Sequence, residues 1–131
     1  MIGLDTNIVL RILIGDDPAQ VTIVKKLLIS RQQLLGAFFL NHVVLAECVW
    51  ALKGSYKMSR QEIVQGLEGL LDTPAFAVEE PKVVASALKN FKESTVDFSD
   101  CLIAAKNAAI GCVHTATFDK KMRDLPAVKV L

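Results

Sequence analysis

Short apolar runs alternate with longer amphipathic stretches from one end of the chain to the other, and this alternation restricts the fold more than any other feature. The short runs are Ile2-Gly3-Leu4, Gly36 to Leu40, Phe76-Ala77-Val78, Cys112 to Thr117 and Val128-Lys129-Val130. Each reads as a strand. The segments between them carry helix punctuation. A helix is predicted from Asn7 to Ile14, and Asp17 followed by Pro18 starts another that runs to about Ser30, with Val21, Val24, Leu27 and Leu28 on one face. Asn41 caps a helix ended by Gly54, and Ser59-Arg60-Gln61-Glu62 is a capping box for one ending near Asp72. Pro81 opens a helix to about Lys92. Asp97 starts one stopped by Gly111, and a short helix follows Asp119. Strands separated by helices pair in parallel, because parallel strands need long crossovers. The expectation is an α/β fold with a parallel sheet covered on both faces.

A chain of 131 residues with no linker, repeat or low-complexity segment is expected to form a single domain, residues 1–131. No stretch approaches the roughly 20 uninterrupted apolar residues of a membrane span. The opening Met1 to Asp5 has no basic segment and does not read as a secretory signal. The three cysteines, Cys48, Cys101 and Cys112, form no CxxC pair, which suits buried thiols in a reducing compartment. A cytoplasmic location follows as an expectation. The net charge of +1 does not advertise nucleic acid, yet it does not exclude it, since bound cations add their own positive field.

Most of the 14 acidic residues fall on helix faces or in turns, among them Glu62, Glu68, Asp72, Glu79, Glu80, Glu93 and Asp124. Four stand apart. Asp5 and Asp119 each follow a strand, at the sheet edge where ligands of open parallel sheets bind. A helix cap is the plainer role for either. Glu47 interrupts the apolar run Val43 to Trp50, where a buried carboxylate would need a partner, a proton or a metal, and where a solvent-facing position would need none. Asp100 stands three residues after Asp97, and capping by Asp97 with a favourable helix-end position for Asp100 accounts for both. Gathered on one edge, such carboxylates would repel one another. Hard divalent cations remove that conflict, and one or two Mg²⁺ or Mn²⁺ ions activate water and stabilise charge on phosphate.

In this order the acids carry a resemblance. Ile2-Gly3-Leu4-Asp5-Thr6-Asn7 resembles the opening motif of PIN domains, and Ala46-Glu47 resembles their second acidic motif. Asp97-Phe98-Ser99-Asp100-Cys101-Leu102-Ile103-Ala104-Ala105 resembles the third, and Thr117-Phe118-Asp119-Lys120 the fourth. Within that family the likeness is greatest to VapC-type ribonuclease toxins of type II toxin–antitoxin modules. The resemblance implies a three-layer α/β/α sandwich on a parallel sheet of about five strands. It implies metal-dependent cleavage of single-stranded or structured RNA, a homodimer, and inhibition by a cognate VapB-like antitoxin. Carried over, Asp5, Glu47, Asp100 and Asp119 are the catalytic acids and ligands for Mg²⁺ or Mn²⁺, with Asp97 an auxiliary ligand. Thr6 and Asn7 would orient Asp5 or a metal-bound water, and Thr117 would support Asp119.

Other residues read more plainly. Lys120, Lys121 and Arg123 after Asp119, and less so Arg11, are candidate phosphate contacts or a solvated face. Trp50 reads as core or interface, Phe98 and Phe118 as walls of the site, and His42 and His114 as structural. A response-regulator receiver would need an acidic pair after the first strand and a late Lys-Pro, and a haloacid-dehalogenase-like phosphatase a D-x-D; neither occurs at these places. A non-catalytic PIN-like module that binds RNA or protein remains the alternative.

Overall fold

The computed structural model describes residues 1–131, which form two compact units, Met1–Glu79 and Glu80–Leu131. In the first unit the order is β1 (Ile2–Gly3), α1 (Thr6–Leu13), α2 (Pro18–Arg31), β2 (Phe38–Leu40), α3 (His42–Gly54), α4 (Arg60–Asp72) and β3 (Phe76–Val78). The sheet runs β1-β2-β3 with both pairings parallel, Ile2 opposite Phe38 and Phe38 opposite Phe76. Each crossover is made by two helices, as parallel strands require. The central strand is the most buried: Phe38 and Leu40 are fully enclosed, and the Phe38 ring meets Phe76 with centroids 6.2 Å apart.

The second unit holds α5 (Pro81–Glu93), α6 (Phe98–Ala109), β4 (Thr115–Thr117), a short 3-10 helix (Lys120–Asp124) and β5 (Val128–Val130). β4 and β5 pair in parallel, with Thr115 opposite Val128 and Thr117 opposite Val130. The paired helices α5 and α6 bury Val84, Ala87, Leu88, Phe91, Phe98 and Cys101, and the Phe91 and Phe98 rings meet edge to face at 5.8 Å. Such edge-to-face pairs add about 0.5–1.5 kcal/mol beyond area burial.

The helix starts follow the local chemistry. Asp17 accepts from the Gln20 amide, Asn41 from the Val44 amide, and Ser59 and Glu62 close both halves of their capping box. The backbone and side-chain hydrogen bonds of Ser59 hold the Glu62 carboxyl below its usual range. At the end of α6 the Gly111 amide bonds Ala108 O and the Cys112 amide bonds Asn107 O, the paired closure of a Schellman motif. Gly111, at φ +101°, supplies the left-handed step that a side chain resists.

The fold is the expected PIN-like α/β one, with parallel pairing throughout, but its five strands divide as three and two. The expected strand from Cys112 is also too long. Only Thr115–Thr117 is extended in a ladder, because the Cys112 amide is already committed to the helix end and Val113 is 90% exposed. Likewise β2 begins at Phe38, after the left-handed turn at Gly36. On α2 only Val24 is fully buried, while Val21, Leu27 and Leu28 are half-buried.

Candidate metal site and its acids

In the first unit two carboxylates are placed by β1, α1 and α3. Asp5 occupies the N-cap position of α1, and its backbone carbonyl accepts from the Ile8 and Val9 amides, yet its side chain makes no capping hydrogen bond. The plain cap role therefore leaves the carboxylate itself unexplained. Glu47 is exposed, so of the two readings the sequence left open the solvent-facing one holds. Helix geometry gives the reason. His42, Val44, Leu45, Cys48, Val49 and Leu52 fill the buried side of α3, while Val43, Glu47 and Trp50 recur at i, i+4 and i+7 on the outer side. Trp50, 80% exposed, is consequently not a core residue.

The Thr6 hydroxyl donates to Glu47 Oε2 at 2.8 Å, so the residue after Asp5 holds the second acid in place. The Thr6 carbonyl in turn faces the Cys48 thiol, 3.8 Å away. Burial, then the charge of Glu47, then that of Asp5, push the Cys48 thiol up to about 12. Asn7 lies with Arg11 and Gln20 along a groove of about 190 Å³ between α1 and α2. Arg11 is tied to Asp16 at 3.0 Å and to Gln20 at 2.7 Å, and Tyr56 donates to Asp16 at 3.0 Å, so this guanidinium already has its anion.

The second unit gathers three acids. Asp97 stands at the N-cap of α6 without a side-chain capping bond, so the economical capping role falls away here too. Asp100 follows one turn later and is half-buried. Desolvation raises the Asp100 carboxyl above its ordinary range, and the like charges of Asp97 and Asp119 raise it further. Asp119 does act as a cap, accepting from the Lys121 amide at 2.9 Å through one oxygen. Its own amide donates to the Thr117 hydroxyl at 3.0 Å, so Thr117 supports Asp119 through the backbone. Carboxylate oxygens whose charges reach one another in this way suit a hard divalent cation.

The wider search adds structural residues that sequence reasoning passed over. Glu79 is no idle surface acid: its Oε1 accepts the His42 amide at 3.0 Å, its carbonyl lies 2.8 Å from His42 Nε2, and its Oε2 is 3.6 Å from Nδ1. This buried imidazole ties the start of α3 to the end of β3. Glu80 pairs with Lys106 at 3.3 Å. Phe98 is buried against Phe91 and does not wall the site, whereas Phe118 is 84% exposed. A larger cavity of about 350 Å³ is lined by Lys82, Ser86, Asn90, Ala104, Ala108 and Pro126 among others, and no carboxylate lines it.

The PIN domain family model matches residues 2–128, across both units. The chain belongs to the PIN-domain family. A curated relative, the VapC ribonuclease of Aquifex aeolicus (strain VF5), is 26% identical over 122 residues, covering 93% of this chain and 90% of the relative. No solved structure matches. In this PIN domain the four acidic motifs all lie inside the matched span: Asp5 before α1, Glu47 within α3, Asp100 in the first turn of α6 and Asp119 after β4.

Proposed function

We propose that the chain is a metal-dependent endoribonuclease, working as one PIN domain, in which Asp5, Glu47, Asp100 and Asp119 hold Mg²⁺ or Mn²⁺ with Asp97 as an auxiliary ligand. The observation that carries this reading is the half-buried Asp100 within reach of Asp97 and Asp119: burial first, and then those like charges, raise its carboxyl above the ordinary range. Bound there, a divalent ion would supply an activated water and stabilise charge on the scissile phosphate. Thr6 positions Glu47 and Thr117 positions Asp119, in the manner by which outer residues orient metal ligands. Asn7 is a further supporting residue at the same strand end. Lys120, Lys121 and Arg123 are exposed beside Asp119 and would bind the RNA backbone.

The named relative is a VapC ribonuclease. From that likeness we infer a toxin of a toxin–antitoxin pair, a homodimer restrained by a VapB-like antitoxin. No helix is long and apolar enough to cross a membrane, which accords with a cytoplasmic role. The test is cleavage of a mixed single-stranded RNA pool with Mg²⁺ or Mn²⁺, with Asp100→Asn and EDTA controls. Cutting by the native chain alone, lost with EDTA, is expected. Equal cutting by both proteins would sink the acidic site. Metal binding with no cutting of any RNA would favour a binding module.

A further inference from the structure

Of the eight aromatic residues, six Phe, one Trp and one Tyr, only two rings are exposed: Trp50 at 80% and Phe118 at 84%. Each stands beside one of the four acids. Trp50 follows Glu47 by one helical turn on the outer stripe of α3, and Phe118 immediately precedes Asp119. Each is also followed by exposed cations: Lys53 and Lys57 after Trp50, and Lys120, Lys121 and Arg123 after Phe118. Full burial of a Phe side chain is worth roughly 1.5–3 kcal/mol, so folding alone gives no reason to leave large rings in water at these two places.

We infer that Trp50 and Phe118 are stacking platforms for the unpaired bases of single-stranded RNA, Trp50 beside Glu47 in the first unit and Phe118 beside Asp119 in the second. This rests on the nuclease reading of the same acids and adds the side chains that would hold the bases of that substrate. A single strand offers a π-face on every base, and ring stacking beside a basic path is how strands are held without sequence preference. In a duplex those faces are already occupied by neighbouring bases. A protein partner fits the surface less well. The cores of protein interfaces are depleted in charge, whereas Glu47 interrupts the Val43–Trp50 stripe and Phe118 is bracketed by Asp119 and lysines.

Because Trp50 is the one tryptophan, its emission reports stacking directly. The probes are a short mixed-sequence RNA oligomer, the same oligomer annealed to its complement, and an abasic version. All are titrated into the full-length Asp100→Asn chain with Mn²⁺, so that RNA is bound but not cut. The single strand should quench Trp50, and the duplex and abasic strand should not. By anisotropy of labelled RNA, Trp50→Ala and Phe118→Ala should each weaken binding about tenfold, while Trp50→Phe and Phe118→Tyr retain most of it. Both side chains are exposed, so unchanged melting temperatures are expected and checked. Equal affinity for the abasic strand, or Ala variants that bind as tightly as the parent, would overturn the inference. So would a Trp50→Ala chain that falls from dimer to monomer with its RNA affinity intact, which would make Trp50 a protein contact. Native protein that fails to cut RNA while Trp50 is still quenched would defeat the nuclease reading and leave stacking standing.

Discussion

The two units treat their acids differently. In Met1–Glu79 the carboxylates are exposed, and a hydroxyl relieves one of them: Thr6 donates to Glu47 and fixes it. In Glu80–Leu131 the carboxylates influence one another through charge. Asp100 is half-buried, and Asp97 and Asp119 both oppose its ionisation. The first pair is arranged in advance at little electrostatic cost. In the second set burial and like charge together favour a protonated or cation-bound Asp100. Preorganisation and frustration are thus segregated, and substitutions in the two places should have opposite signatures.

The largest effect is expected at Asp100. Asp100→Asn should lower RNA cleavage by about a hundredfold to a thousandfold, the scale of removing several kcal/mol of charge stabilisation by a metal. In the metal-free protein the same substitution should leave thermal stability unchanged or slightly higher, since it removes a charge that its neighbours repel. Thermal melts with and without EDTA check this. A marked loss of metal-free stability would mean that Asp100 is a structural acid.

Metal-induced stabilisation is the next effect in size. Mn²⁺ at about a hundred times its dissociation constant should raise unfolding stability by about 2.7 kcal/mol. The pH dependence has a definite sign. A carboxyl raised in the folded state favours folding when protonated, so this contribution is fully present below the unfolded-state pKa and is lost as pH rises through the folded one. Metal-free protein should therefore lose some stability as pH rises from about 4 into the range above Asp100's raised value, and Mn²⁺ should restore it there, where the ligands are deprotonated. Melts across pH in EDTA and in Mn²⁺ measure both limbs. A pH-independent metal response would break the contrast between the units.

A smaller effect is expected at Thr6. Thr6→Val removes the hydroxyl that holds Glu47. Because both groups are accessible, stability should fall by no more than about 1 kcal/mol, while cleavage falls about tenfold through a loosened ligand. Thr6→Ser should recover most of the activity. Equal losses in Val and Ser would assign Thr6 to packing of α1.

Much of this contrast was legible in the residues themselves. Asp17, Asn41 and Ser59 announced their helices because capping is a local event, decided within one turn of chain. Asp5, Glu47, Asp100 and Asp119 stand in stretches that resemble the family's motifs, and the family match spans all four. What local pattern did not give was direction. The run Val43 to Trp50 is apolar by composition, and only the packing of α3 puts Glu47 and Trp50 outward together. The strand expected from Cys112 failed because hydrophobicity does not reveal that its first amide closes a helix. Glu79 looked like one more surface acid because its partner, His42, is distant in sequence and near only through β2–β3 pairing.

The smallest effect sharpens the reading of the first unit through its thiol. Cys48 and Cys101 are buried and Cys112 is exposed. The thiolate is the reactive form, and burial together with Glu47 and Asp5 pushes Cys48 up to about 12. A maleimide reagent at neutral pH should therefore label Cys112 alone in the folded chain, and all three cysteines once it is unfolded. Mass spectrometry of the labelled peptides counts them. In Glu47→Gln the neighbouring charge is gone but desolvation, the larger cause, remains. Cys48 should stay protected, with only a modest increase in its labelling at alkaline pH. Free labelling of Cys48 in the folded native chain would show that α3 opens readily, and Glu47 would then be mobile instead of held by Thr6.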